Sequence, residues 1–363
     1  MKVLKAVVLI FIFTAVVANA QDKFSAIDFF MHDRFHDTFL RDYYRFQEPL
    51  PLRIEYYYVN WLDSSERADD HRDQLHIEGM IPIYRGLDGR LIVDVPIRYS
   101  RIPIWSETEE ITLGRRLNII EPHLTSRWVI TDRLKSIVGW EYNMKGDDDS
   151  IGESNGREIC LLKALFSYDL HRQLNLVAGL RFDRYYYDID EEPDAVSYKL
   201  TDRLYYQPAI MLNWHPSNSL IVLLGIPGSG IYAALGQVLK AEVRASIDER
   251  IEVALRAMPL EKTRATLRFL NSPYAEFPIM STNLSEDKSP AERLSYTSKS
   301  FIFEIGRELN PAALASLGLL YSPGSDVNLK DRDQKDVMTL DGKSRFAIGA
   351  TFIMDIQALV EKR

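Results

Sequence analysis

Period-two alternation, repeated along most of its length, constrains this chain more than any other feature. Leu174, Leu176, Ala178, Leu180 and Phe182 stand on one side of a pleat, and Asn175, Val177, Gly179, Arg181 and Asp183 on the other. Successive side chains of a strand point to opposite faces, so this segment separates an apolar surrounding from a polar space. Leu91, Val93, Val95, Ile97 and Tyr99 oppose Arg90, Asp94 and Arg98 in the same way. Leu134, Val138, Trp140 and Tyr142 oppose Lys135, Gly139, Glu141 and Asn143, and Leu204, Tyr206, Pro208, Ile210, Leu212 and Trp214 oppose Gln207 and Asn213. Near the end, Phe346, Ile348, Ala350, Phe352, Met354 and Ile356 oppose Arg345, Gly349, Thr351 and Asp355. After residue 20 no segment approaches the ~20 continuous apolar residues that a spanning helix requires. Half-apolar strands in this number suit either an exported soluble β-protein or a closed barrel whose apolar face meets lipid.

The connections favour the barrel. Tight links at Thr131-Asp132-Arg133, Asp169 to Gln173, His215-Pro216-Ser217-Asn218, Ile247-Asp248-Glu249-Arg250 and Asn310-Pro311 carry turn chemistry. Between them lie long polar links at 63–73, 100–117, 146–157, 188–202 and 323–343. Short periplasmic turns alternating with long extracellular loops mark outer-membrane barrels. Strands are predicted near 52–62, 74–84, 90–99, 118–130, 134–145, 158–170, 174–187, 203–214, 219–227, 238–246, 250–257, 296–308, 313–322 and 344–356. That makes about 14 strands, with 12 to 16 left open, and an even number puts both termini on the periplasmic side. Arg264 to Leu270 reads as a further strand, but counting it breaks the alternation of short and long links, so 258–295 is assigned to a long loop. The expected fold is an all-β, transmembrane, antiparallel up-and-down β-barrel over residues 51–356.

The flanks read differently. Met1-Lys2-Val3-Leu4-Lys5 is followed by an apolar stretch from Ala6 to Val17 and by Ala18-Asn19-Ala20, the pattern of a signal peptide cut after Ala20. No cysteine lies near this site, which excludes lipid attachment there. Residues 21–50 carry Phe29, Phe30, Phe35, Phe39 and Phe46 at roughly helical spacing and are expected to form a periplasmic or plugging segment; 357–363 form a C-terminal tail. Cys160 is the single cysteine, so the exported chain has no intramolecular disulfide. The formal charge of −8 gives no footprint for nucleic acid. Nineteen Tyr, 16 Phe and 5 Trp suit the aromatic girdles of a membrane barrel.

At Leu212-Asn213-Trp214-His215-Pro216-Ser217, followed by an apolar strand closing on Gly225-Ile226-Pro227, the chain resembles an uncharacterised family of Gram-negative outer-membrane β-barrels. Phe303-Glu304-Ile305-Gly306-Arg307-Glu308-Leu309 and then Leu317-Gly318-Leu319-Leu320-Tyr321 are similar to that family's closing hairpin. The resemblance covers roughly residues 90–356 and implies an outer-membrane barrel without bringing catalytic residues, since the family has no assigned activity. Many outer-membrane barrels end in an aromatic residue, whereas here Gln357 to Arg363 follow the last predicted strand. The partners implied are outer-membrane lipid and the barrel-assembly machinery, with a small solute as candidate cargo and no cofactor.

The polar faces collect the candidate functional residues. Arg90, Asp94, Arg98, Glu121, Arg127, Glu141, Arg181, Asp183, Glu242, Arg244, Glu252, Arg256, Glu304, Arg345 and Asp355 are expected to line the lumen, with Arg53, Glu55, Glu78, Lys135 and Lys240 in the same phase. The signs nearly balance. A wide diffusion pore keeps segregated charge, whereas interleaved opposite charges favour cross-strand pairs that fill the interior. Two readings follow: a narrow charge-lined channel, or pairs that only rigidify a closed barrel, the second being the more economical.

Other constellations are weaker. Asp147, Asp148, Asp149 and Glu153 offer oxygen ligands for calcium but fail the EF-hand spacing, so a solvated loop is favoured. His32 and His36 are spaced for zinc on a helix, but the Glu of the metalloprotease motif is missing and a surface pair is favoured. Gly225 to Gly230 lacks the Lys-Ser or Lys-Thr of a phosphate loop and reads as turn or loop. His76 and His123 have no Ser partner identifiable by sequence, and Tyr185-Tyr186-Tyr187 reads as girdle. The leading expectation is an outer-membrane barrel acting as a narrow channel or transporter for small solutes. A closed structural or surface-binding barrel and, less favoured, an outer-membrane hydrolase are the alternatives; no enzyme is expected.

Overall fold

The computed structural model describes residues 52–62, 72–107, 112–147, 154–189, 203–217, 219–226, 228–235, 238–246, 251–282, 291–310, 313–324, 326–331 and 335–354. The expected signal peptide, the segment 21–50 and the tail from 357 lie outside them. Among the described residues the chain forms eighteen strands. In order these are β1 (Leu52–Trp61), β2 (Asp73–Gly86), β3 (Leu91–Glu107), β4 (Thr112–Val129), β5 (Leu134–Asp147), β6 (Ser154–His171), β7 (Leu174–Ile189), β8 (Arg203–Ser217) and β9 (Leu220–Ile226). The second half comprises β10 (Gly228–Leu235), β11 (Leu239–Ser246), β12 (Ile251–Leu260), β13 (Thr263–Thr282), β14 (Ala291–Asn310), β15 (Ala313–Ser322), β16 (Asp326–Lys330), β17 (Asp336–Asp341) and β18 (Arg345–Met354).

Antiparallel pairing runs from β1 through β15 in chain order, then from β15 to β18 and from β18 back to β1, closing a 16-stranded barrel. Strands β16 and β17 form a hairpin inserted between β15 and β18, with β16 paired to β14. The alternation explains the wall. On β1, Arg53, Glu55, Tyr57 and Val59 are buried on the inner face while Ile54, Tyr56 and Tyr58 are exposed outside. Leu124, Trp140, Leu162, Phe166, Ile210, Phe301, Phe303, Ile305 and Ile348 continue the exposed apolar surface around the ring. Apolar side chains on this scale belong in lipid, and closure satisfies every wall strand without leaving an edge. Trp128, Tyr168 and Trp214 lie near the end with the short turns, and Tyr58 and Tyr321 near the other, where aromatic girdles sit. The chain is a closed antiparallel β-barrel whose apolar outer face is built to meet lipid.

Two strands bring the expected count from about 14 to the 16 found, within the range left open. The segment 258–295, read as loop, contains β13 and the start of β14. Its turn is Glu261-Lys262, with Lys262 at φ 61, so the left-handed turn position carries neither Gly nor Asn to announce it. The second missed strand is β10, which uses the Gly-rich run as strand rather than loop. Gly225, at φ 153, lies where a Cβ would meet the Ile210 carbonyl oxygen at 2.1 Å, so the glycine is there for close strand approach. The two omissions compensated in parity but reversed the direction of the strands between them. The Ile247 to Arg250 link therefore lies at the loop end of the barrel, not the turn end. The links 100–117 and 146–157 also shorten, since β3 reaches Glu107 and β5 reaches Asp147, and 323–343 contains the β16–β17 hairpin.

One rung of the closing seam shows how the wall is held. Tyr57, Gly349, Gly318 and Glu304 are successive register partners across β1, β18, β15 and β14. With two glycines between them, the Tyr57 ring lies flat along the wall and its hydroxyl donates to Glu304 Oε1 at 3.0 Å. Tyr57→Phe keeps the packing and removes this bond to a buried carboxylate, which is expected to cost about 1.5–3 kcal/mol. The check is the midpoint of urea unfolding, followed by heat-modifiable gel migration. An unchanged midpoint would show that the hydroxyl does not hold the seam.

A charge ladder between apolar layers in the lumen

The inner faces stack in three layers. Toward the turn end, Ile137, Leu165, Val177 and Met211 project inward from β5, β6, β7 and β8 and are fully buried. At the loop end a second apolar layer gathers Ile102 and Ile104 of β3, Leu113, Leu117 and Ile119 of β4, Ala291, Leu294 and Tyr296 of β14, and Val327, Leu329 and Leu340 of the hairpin. The hairpin thus caps the mouth with its own apolar face. Across the middle, Cα atoms of β13 approach within 8 Å of β5 and β6, which stand on the far side of the ring.

Between the apolar layers runs a ladder of buried charges. Arg127 reaches Asp94 Oδ2 through Nε and Nη2, each at 2.9 Å. Arg98 lies between Glu78, 3.7 Å away, and Glu121, at 3.2 Å. Glu141 is fully buried and pairs with Lys163, with Arg181 at 2.9 Å and with His123 Nδ1 at 3.1 Å. Arg53 pairs with Glu55, Glu242 with Arg244 and, at 3.0 Å, with Arg256, and Arg268 stands 4.0 Å from Glu252. Arg345 donates to the Pro103 carbonyl at 3.0 Å and lies over the Trp61 ring.

Register dictates these pairs. Arg98 stands directly opposite Glu121 and His123 opposite Glu141. Arg53–Glu55 and Glu242–Arg244 are two apart on one face, neighbours because strand side chains repeat with period two. Each such ion loses several kcal/mol of hydration, which close pairing offsets.

The structure buries Asp94, Arg98, Glu121, Arg127, Glu141, Arg181, Glu242, Arg244, Glu252, Arg256, Glu304 and Arg345. Arg90 departs from the expectation: it is exposed in the turn before β3, because Leu87–Gly89 form a 3-10 turn and the strand begins at Leu91. Asp183 lies in β7 with its side chain outside the described residues, as do the side chains of Tyr185, Tyr186 and Tyr187, and Asp355 falls wholly outside them. Arg53, Glu55 and Glu78 are buried, while Lys135 and Lys240 are half-buried. Lys163 and Arg268 were missed by sequence reasoning. Arg268 belonged to an uncounted strand, and a bulge between Cys160 and Leu162 shifts the phase before Lys163. The usable signal was the local alternation of Lys163, Leu165 and Ser167 against Leu162, Ala164 and Phe166.

Register gives His76 a serine partner that could not be identified by sequence. His76 stands opposite Ser100, with Nδ1 and Ser100 Oγ 2.8 Å apart, and its Nε2 is 3.4 Å from Glu78 Oε2. These are the residue types of a nucleophile, a base and an orienting acid. They are buried below Ile102, and Glu78 is shared with Arg98, so their place is in the ladder. Among the described residues no group of three or more His, Cys, Asp or Glu is arranged to hold a metal ion. His32, His36, Asp148, Asp149 and Glu153 lie outside those residues.

No protein-family model and no curated protein matches the chain. Solved structures that it resembles include the Pseudomonas putida toluene transporter TodX, at 7% identity and TM-score 0.33, with 85% of this chain and 89% of that one covered. The CymD monoaromatic hydrocarbon channel is 8% identical at TM-score 0.34, covering 94% and 97%. The Acinetobacter baumannii outer membrane protein Omp33 is 8% identical at TM-score 0.29, covering 84% and 98%. Likenesses this loose assign neither cargo nor activity to the chain.

Proposed function

We propose that the chain is an outer-membrane channel for a small polar solute, closed by the apolar layers at the two ends of its lumen. The buried charge ladder carries this reading. Replacing buried ion pairs by well-packed apolar residues is often neutral or stabilising, so a barrel serving only as a scaffold gains little from keeping them. A continuous polar lining offers hydrogen-bonding partners to water and solute once the end layers part. The expected export signal at residues 1–20 supports the location, and the near balance of lining charges predicts little discrimination between cations and anions.

The test is single-channel recording in planar bilayers from protein verified as folded by heat-modifiable migration. Small conductance steps with a reversal potential near zero in a salt gradient are the expected result. Absence of current, also from protein lacking residues 326–341, would overturn the channel. A second reading, a closed recognition barrel, is favoured by the approach of β13 to β5 and β6. It predicts that removing the hairpin abolishes partner binding while the fold survives.

A further inference from the structure

Where the charge ladder meets each apolar layer it carries an imidazole. His76 of β2 stands opposite Ser100 of β3, and the next inward residue of β3 is Ile102, which belongs to the loop-end layer. His123 of β4 stands opposite Glu141 of β5, and two inward positions along β5, past Gly139, comes Ile137 of the turn-end layer. These are the histidines buried among the described residues, whereas His171, at the end of β6, is exposed. A path along the ladder therefore passes one ring near each end.

The surroundings suit rings that change charge. His76 Nδ1 lies 2.8 Å from Ser100 Oγ, and its Nε2 lies 3.4 Å from Glu78 Oε2. From β1, Glu55 stands opposite His76 and Arg53 opposite Glu78; from β3, Arg98 stands opposite Glu78. His123 Nδ1 lies 3.1 Å from Glu141 Oε1, which Lys163 of β6 also meets, while Arg181 of β7 meets Oε2. Glu121 and Arg127 share the inner face of β4, and β3 places Arg98 opposite Glu121 and Asp94 opposite Thr125. Arg268 is buried on β13, the strand that approaches β5 and β6. A hydroxyl both donates and accepts and so serves either state of a ring, and a carboxylate accepts from the N–H of a protonated one.

Arginine keeps its charge at every pH a cell meets, whereas imidazole changes charge between about pH 5 and 8. Resting on the channel reading above, we propose that His76 and His123 set the charge selectivity of the lumen. Each proton bound adds one positive charge beside the path, so falling pH turns the lumen toward anions. Low-dielectric walls focus the field of such a charge on a permeant ion. The reversal potential near zero belongs to the alkaline end of the range.

Planar-bilayer recording of the full barrel in a potassium chloride gradient, at about pH 8.5 and about pH 5, tests this. The reversal potential is expected near zero at the higher pH and displaced toward the chloride equilibrium potential at the lower one, the anion-to-cation permeability ratio rising about threefold or more. In H76N/H123N, whose amide nitrogens replace Nδ1, most of that rise is expected to be lost, and each single variant should lose part of it. H171N, outside the lumen, is expected to keep it. A reversal potential of the unaltered barrel that stays fixed between the two pH values would overturn the proposal whatever the variants do. So would a full rise in folded H76N/H123N, which would place the titration on the carboxylates. Both results leave the channel standing. No current at either pH, also from protein lacking residues 326–341, removes the channel and the selectivity with it.

Discussion

Glu141→Gln is expected to lower the stability of the barrel by roughly 3–5 kcal/mol, the cost of removing one partner from a buried ion cluster. The amide keeps the shape of the side chain but removes the carboxylate shared by Lys163, Arg181 and His123, which arrive from β6, β7 and β4. Glu141 and Lys163 are both fully buried. The measurement is the urea midpoint of the folded band. The double variant Glu141→Gln/Lys163→Gln is expected to recover part of the loss, because it removes charge as well as countercharge. An unchanged midpoint in the single variant would mean that water reaches the cluster, and with it that the lumen is already open.

A disulfide between positions 106 and 342 is expected to abolish conductance when oxidised and restore it on reduction. The hairpin continues the sheet of β14 through four register pairs, Arg293–Lys330 to Tyr296–Val327. Besides the apolar packing on Ile102 and Ile104, its other edge pairs with β3, among the described residues, at the Ser106–Gly342 bridge. Two hydrogen bonds accompany that bridge, Lys343 N to Trp105 O at 2.9 Å and Ser106 Oγ to Asp341 O at 2.8 Å. The cap is thus hinged on β14 and latched on β3, and the latch is the weaker seam. Antiparallel bridge partners stand about 4.5–5.5 Å apart at Cα, inside the range a disulfide spans. Ser106→Cys/Gly342→Cys is made with Cys160, the sole native cysteine, replaced by Ser. Equal currents from the oxidised and reduced forms would show that the hairpin is no gate while leaving the channel standing. No current from either form, nor from protein lacking residues 326–341, would remove the channel itself.

The wall was legible because its signal is local. Leu174 to Phe182, or Phe346 to Met354, reports which side of the pleat meets lipid without knowledge of any other strand. Arg98, Glu141 and Arg181 could be placed on inner faces for the same reason. The pairs they form could not, since Lys163 and Arg181 meet Glu141 only after β5, β6 and β7 take a particular register. The Ser100–His76 contact, between residues 24 apart in sequence, is likewise a product of register. Parity counting failed where turn chemistry was silent, at Lys262, and where glycine served close approach rather than a turn, at Gly225.

By itself the sequence determined a membrane barrel of half-apolar strands with opposite charges facing inward, because period-two alternation depends only on neighbouring residues. The tertiary structure alone decided the closure at 16 strands, the rung from Tyr57 to Glu304, and the hairpin that turns a predicted loop into a cap. Each of these depends on contacts between segments far apart in the chain. Such contacts are set by register and ring closure, which no local periodicity encodes.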